Sequence, residues 1–217
     1  MKAVLFDLDG TLLDTLEDLS NSVNYALLHH GFPQRSSKEI RSFLGNGARN
    51  LIRFSLPQGK EKSEESVFYS FLKHYALHSR DFTRPYPGIP QLLDSLQEKG
   101  VKVAIVSNKY DSAVQKLKEI YFPRADFAVG EQDGIARKPA PDSVFAAMKL
   151  FDATPEECVY VGDSEVDIQT AKNAGIPCVT VSWGFRDRED LEKAGATHFA
   201  DTREDLARIL DELLGLN

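Results

Sequence analysis

Cysteine is scarce in this chain: Cys158 and Cys178 are the only two in 217 residues. Two cysteines suggest neither a disulfide framework nor a zinc site. Each opens a β-branched run, CVYVGD and CVTVSW, where a small apolar side chain suits a strand. Basic charge is also short, with 26 Lys+Arg against 33 Asp+Glu for a net charge of −7. That argues against a nucleic-acid partner, which is bound through a basic face. No stretch approaches the roughly 18 uncharged apolar residues of a membrane span. The first dozen residues hold one lysine, a short apolar run and then acids, unlike a signal peptide. A cytosolic chain is expected. Its length allows a well-buried main domain with a smaller insert.

What the chain does have is alternation. AVLFDLD, VKVAIVSN, DFAVG, CVYVGD and CVTVSW are compact, mostly unalternating apolar runs, the pattern of strands covered on both faces. Amphipathic stretches lie between them, at Ile89–Lys99, Ser112–Ile120, Pro141–Phe151 and Val166–Ala174. The last stops at Gly175, a good helix terminator. The expectation is an α/β fold with a doubly wound parallel sheet and a Rossmann-like core. One segment departs from it: residues 15–80 carry helical patterns and no convincing strand. An all-helical cap over 15–80, inserted after the first strand, would leave 1–14 and 81–217 as the core. Charge divides the same way, with nine basic and six acidic residues in 15–80 against 17 and 27 elsewhere. An acidic body under a mildly basic insert suits a cation in the body and an anionic ligand between the two.

In an open parallel sheet, ligands sit beyond the carboxyl ends of the strands. Asp7 and Asp9 follow the first run, Ser107, Asn108 and Lys109 the second, Lys138 the third, and Asp163 and Asp167 the fourth. In extended backbone Asp7 and Asp9 point to the same side, and Asp163 brings a third acid. Three converging carboxylates need a hard cation, and Mg2+ favours one or two carboxylates plus water and phosphate oxygens. Gly10 and Thr11 suit a tight turn whose N–H groups face an anion.

FDLDGTLLDT, VSNK, RKPAPD and VGDSEVDIQTAKNAGI resemble, in order, the four motifs of the haloacid dehalogenase superfamily of phosphotransferases. The resemblance covers essentially the whole chain. The helical insert is similar to the cap of the phosphoglycolate phosphatase-like branch, as are FLGNGARNLI and VSWGFRDREDLEKAGATHFADTREDL. The dehalogenases of the superfamily lack the acid at the position of Asp9, so its presence favours phosphoryl transfer. The resemblance implies Asp7 as nucleophile and Asp9 as general acid and base. It implies Mg2+ held by Asp7, the backbone carbonyl of Asp9 and Asp163, with Asp167 orienting its waters. Ser107 and Asn108 would bind the phosphoryl group and Lys138 would neutralise charge, so that metal and Lys138 together pair the two aspartates.

GNGARNLIRF reads as a glycine-rich turn opening a helix whose N-terminus can receive an anion. Asn46 and Arg49 are the candidates for the far end of the substrate, such as the carboxylate of 2-phosphoglycolate. The expected partner is therefore a small phosphorylated metabolite, and the chain a monomer or homodimer. Rival readings are an inorganic pyrophosphatase, a broad sugar-phosphate phosphatase, or a phosphate-binding module without catalysis. His74 and His78, four apart in a helix, read as surface residues, and Trp183 has no assigned role.

Overall fold

Unalternating apolar runs require cover on both faces, and the backbone provides it. In the computed structural model, which describes residues 1–216, the strands are β1 (Ala3–Phe6), β2 (Leu13–Asp14), β3 (Arg84–Pro85), β4 (Lys102–Tyr110), β5 (Phe127–Glu131), β6 (Cys158–Gly162), β7 (Cys178–Val181) and β8 (His198–Ala200). Six form one sheet in the order β5-β4-β1-β6-β7-β8, every pairing parallel. The pleat sends Val4 and Phe6 of β1 into one core and Ala3 and Leu5 into the other. Val103 and Ile105 of β4, with Val159 and Val161 of β6, join the first. Ala104, Val106, Cys158 and Tyr160 join the second.

The helices are α1 (Leu16–His29), α2 (Ser37–Phe43), α3 (Ala48–Ser55), α4 (Glu64–His78), α5 (Ile89–Glu98), α6 (Asp111–Tyr121), α7 (Asp142–Phe151), α8 (Glu165–Ala174), α9 (Arg188–Lys193) and α10 (Arg203–Leu214). Helices α5, α6 and α10 cover one face of the sheet, and α7 and α8 cover the other. Helix α8 starts on Ser164, whose hydroxyl and backbone N–H are both held by Asp167, and stops on left-handed Gly175.

Helices α1–α4 pack around a third core containing Val23, Leu27, Ile40, Ile52, Phe68 and Phe71. They form the helical cap inserted after the first strand. The chain leaves for the cap through β2 and returns through β3, and these two short strands pair antiparallel as Leu13 with Pro85 and Asp14 with Arg84. Neither this ribbon nor β8 is visible in the sequence pattern. Among the described residues, no helix is long and apolar enough to cross a membrane. Both cysteines are free.

Candidate active site

The carboxyl ends of β1, β4 and β6 meet at one edge of the sheet. Asp7 follows β1 directly, and its backbone N–H donates to the Val161 carbonyl at 2.9 Å. Ser107 and Asn108 lie at the end of β4, Lys138 in the loop before α7, and Asp163 just beyond β6. All six of Asp7, Asp9, Ser107, Asn108, Lys138 and Asp163 line a single cavity of about 330 Å3 under the cap.

Two lysines divide the acids between them. Lys138 Nζ donates to Asp7 Oδ1 and to Asp167 Oδ1, both at 2.8 Å, and to the Tyr160 hydroxyl at 3.0 Å. Lys109 Nζ donates to both oxygens of Asp9, at 2.8 and 2.9 Å. Of the two aspartates that the sequence assigned to a metal and Lys138 together, Lys138 meets Asp7 and Lys109 meets Asp9. The reason is that β1 ends at Phe6 and the backbone turns: Leu12 and Leu13 N–H both reach back to the Leu8 carbonyl. Both carboxylates still face the one cavity, as the sequence suggested, but each has a different lysine beside it. Lys109 lines the cavity, and the sequence reading placed it at a strand end but gave it no role. Its signal was present, a lysine buried at a strand end among acids, but not which acid it meets.

Burial dominates the electrostatics. It raises the Asp7 carboxyl to about 7, Lys138 opposing and Asp167 reinforcing the shift. Burial, with Asp167 and Asp7, lifts Asp163 well above the carboxylate range. For both lysines burial works against the charge, but the acids outweigh it and hold the ammonium groups charged: Asp9 for Lys109, Asp167 and Asp7 for Lys138.

The acids suit a divalent cation. Asp7, Asp163 and Asp167 each bring one buried oxygen within 4.8 Å of the others. Asp163 accepts from the Phe185 N–H at 2.6 Å and the Thr11 hydroxyl at 3.3 Å, both neutral donors. Three carboxylates against one ammonium leave an excess of negative charge in a dry place, and all-oxygen donors match a hard ion. Space is kept for this cluster by Gly10 (φ +88°) and Gly184: a Cβ on either would collide with the Asp163 carboxylate. Asp167 has both oxygens engaged, one by Lys138 and the other by Ser164, which suits an orienting part.

Several candidates sit elsewhere than the sequence suggested. Gly10 and Thr11 buttress Asp163 and do not line the cavity. Trp183 holds that turn, its indole N–H donating to the Thr11 carbonyl at 3.2 Å. Asn108 joins three segments: its amide donates to the carbonyls of Gly45 and Lys138 and accepts from the Lys138 N–H. In the cap, Gly45 and Gly47 reach the cavity, whereas Asn46 and Arg49 do not line it. Arg49 is bound to Glu65 at 2.7 Å, lies near Glu64, and sits 4.4 Å over the Phe68 ring. His74 and His78 bond to Ser22 and Asp81.

Four motifs in one order on one sheet edge have a counterpart among known proteins. The pattern of the haloacid dehalogenase-like hydrolases matches residues 4–181. The chain belongs to that family. Within the haloacid dehalogenase-like hydrolases its likeness is to phosphatases. A phosphoglycolate phosphatase of Aquifex aeolicus is 34% identical over 190 residues, 85% of this chain and 86% of the relative. One from Mesorhizobium japonicum is 33% identical over 221 residues, 98% and 97% of the two chains. A crystal structure from Lactobacillus delbrueckii subsp. bulgaricus, described as a candidate phosphoglycolate phosphatase, superposes with a TM-score of 0.91 at 38% identity. It covers 97% of this chain and 99% of its own. The family pattern ends at Val181, just before the loop that carries Trp183, Gly184 and Phe185.

Proposed function

We propose that this haloacid dehalogenase-like hydrolase cleaves small phosphate monoesters through a phosphorylated Asp7, with Mg2+ as cofactor. One observation carries the reading: the two carboxylates of the first motif have different lysine partners, so they are equipped for different tasks. Asp7 meets Lys138 and Asp9 meets Lys109.

In the first step an Asp7 oxygen attacks phosphorus and the ester P–O bond breaks. Asp9, carrying the proton it regains in the second step, gives it to the departing oxygen so that the alcohol leaves neutral, and Lys109 meets the carboxylate so formed. In the second step Asp9 takes a proton from water as that water attacks the same phosphorus. Inorganic phosphate leaves and the Asp7 carboxylate is restored. Lys138 holds Asp7 in position and offsets charge on the phosphoryl group. Ser107 and Asn108 lie beside the phosphoryl site as hydrogen-bonding groups. Lys109 keeps the Asp9 carboxyl aimed into the cavity. Asp7, Asp163 and the Asp9 backbone carbonyl would hold the cofactor, with Asp167 orienting its water. When bound, Mg2+ supplies the positive charge that lets an anionic nucleophile approach an anionic ester.

The names of the relatives support 2-phosphoglycolate as the first ester to assay. The test is phosphate release from a panel of esters and pyrophosphate, with and without Mg2+, using Asp7→Asn as blank. Mg2+-dependent release lost in that variant is expected. Release that survives in Asp7→Asn would overturn the covalent route, and preference for pyrophosphate would overturn the monoester assignment.

A further inference from the structure

We infer that the chamber above the phosphoryl site selects esters whose leaving group is neutral and largely apolar, and disfavours a carboxylated one. The inference rests on the phosphatase reading above and concerns the other half of the substrate.

The floor of the cavity is polar, but its roof is hydrocarbon. Leu19 comes from α1, Leu51 from α3, Phe71 and Leu72 from α4, and Phe185 from the loop after β7. About 330 Å3 is enough for a ring-sized group beyond the phosphate, within the range of roughly 300–1,000 Å3 that ligand pockets occupy.

Charge decides the matter more than volume. Among the described residues, the cations lining the cavity are Lys109, Lys138 and Arg186, and each already has a carboxylate. Lys109 holds both oxygens of Asp9, and Lys138 bridges Asp7 and Asp167. Arg186 meets Glu165 at 2.7 Å and gives further N–H groups to the carbonyls of Arg41 and Leu44. Arg49 is spent on Glu65 outside the cavity. A carboxylate entering this roof would lose its water and meet no free counter-charge, a strongly unfavourable exchange. The first turn of α3 opens nearby, but a helix dipole replaces only a small part of what desolvation removes.

One polar group in the roof, beside the Lys109 ammonium, makes no hydrogen bond among the described residues. The Tyr75 hydroxyl is buried without a hydrogen-bond partner, and Tyr75 lines the cavity. A buried hydroxyl left unmade is costly, so it suits a single polar atom on an otherwise apolar leaving group. It cannot neutralise an anion, because a phenol is never cationic; burial, which lifts its ionisation to about 12, keeps it a neutral hydroxyl.

The test compares esters with similar alkoxide leaving groups, so that chemistry does not mask binding. Benzyl phosphate, 4-carboxybenzyl phosphate and 2-phosphoglycolate would be assayed for kcat/KM with the full chain and Mg2+. Benzyl phosphate is expected to exceed each carboxylated ester by at least tenfold, the scale on which apolar pockets discriminate. In Ala76→Arg, at an exposed position on the cavity wall, the ratio should move toward the carboxylated esters. Equal values, or preference for 2-phosphoglycolate, would overturn the inference and leave the phosphatase reading standing. Release from none of the three, nor from any other monoester, would overturn both.

Discussion

Lys138 is 3% exposed and touches two carboxylates, so its removal leaves buried negative charge with nothing opposite it. Breaking a buried pair from one side costs about 3–5 kcal/mol. Lys138→Met should lose that much in urea unfolding of the metal-free chain, besides losing activity. A surface lysine such as Lys193, 72% exposed, should show almost nothing on the same treatment. Lys109 calls for a different measurement, because its role runs through Asp9. Lys109→Met should lower kcat by roughly 10²–10⁴, the range a general acid or base contributes. Asp9→Asn should lower it at least as far, and the double variant no further than Asp9→Asn alone. If the two losses multiplied, Lys109 would be acting on something other than Asp9. The acids and Lys138 were legible in the sequence because they stand in ordered motifs at strand ends. The division of lysines was not, since the Lys109–Asp9 pair joins residues 100 positions apart through a turn whose course begins after β1 ends.

Elements long enough to show a period were readable, and short ones were not. The amphipathic stretches at Ile89–Lys99 and Val166–Ala174 correspond to α5 and α8 within a residue. Strand β8 has three residues and β2 and β3 two each, too few for alternation to stand out. Yet the β2–β3 ribbon is where the cap is attached, and it is secured by an equally unobtrusive residue. Asp18, in the first turn of α1, is buried and accepts from the N–H groups of Phe82 and Thr83 and from the Thr83 hydroxyl. It ties the outgoing helix to the returning chain. Asp18→Ala would leave those N–H groups without their partner, at about 1–3 kcal/mol for a buried unsatisfied group. At roughly 2–4 °C per kcal/mol for a chain of this size, the melting temperature should fall by several degrees. Glu98→Ala, at an exposed helix end, provides the reference, with an expected change near zero.

Across the whole molecule, charge is distributed so that the fold carries an unresolved repulsion at its centre. The more basic cap and acidic core meet through Arg41 on Asp187 and through Arg186 on the carbonyls of Arg41 and Leu44. Those contacts hold the seam, and Arg186 offsets only part of the burial of Asp163, whose hydrogen-bond donors among the described residues are neutral. Burial and its fellow acids push the Asp163 carboxyl upward, so the metal-free fold bears an energetic cost at that point that a cation would remove. Mg2+ should therefore stabilise the chain by mass action, by about 2.7 kcal/mol at a hundredfold excess over Kd. Asp163→Asn separates this from any general effect of salt. An asparagine carbonyl can still accept from the Phe185 N–H while the negative charge is gone. The variant should melt at or above the native chain when both are metal-free, the reverse of an ordinary core substitution, and should not respond to Mg2+. A native chain that gains nothing from Mg2+, or an Asp163→Asn variant that melts lower yet still gains, would mean that the acids are balanced from within the protein and that no cation is needed to complete the fold.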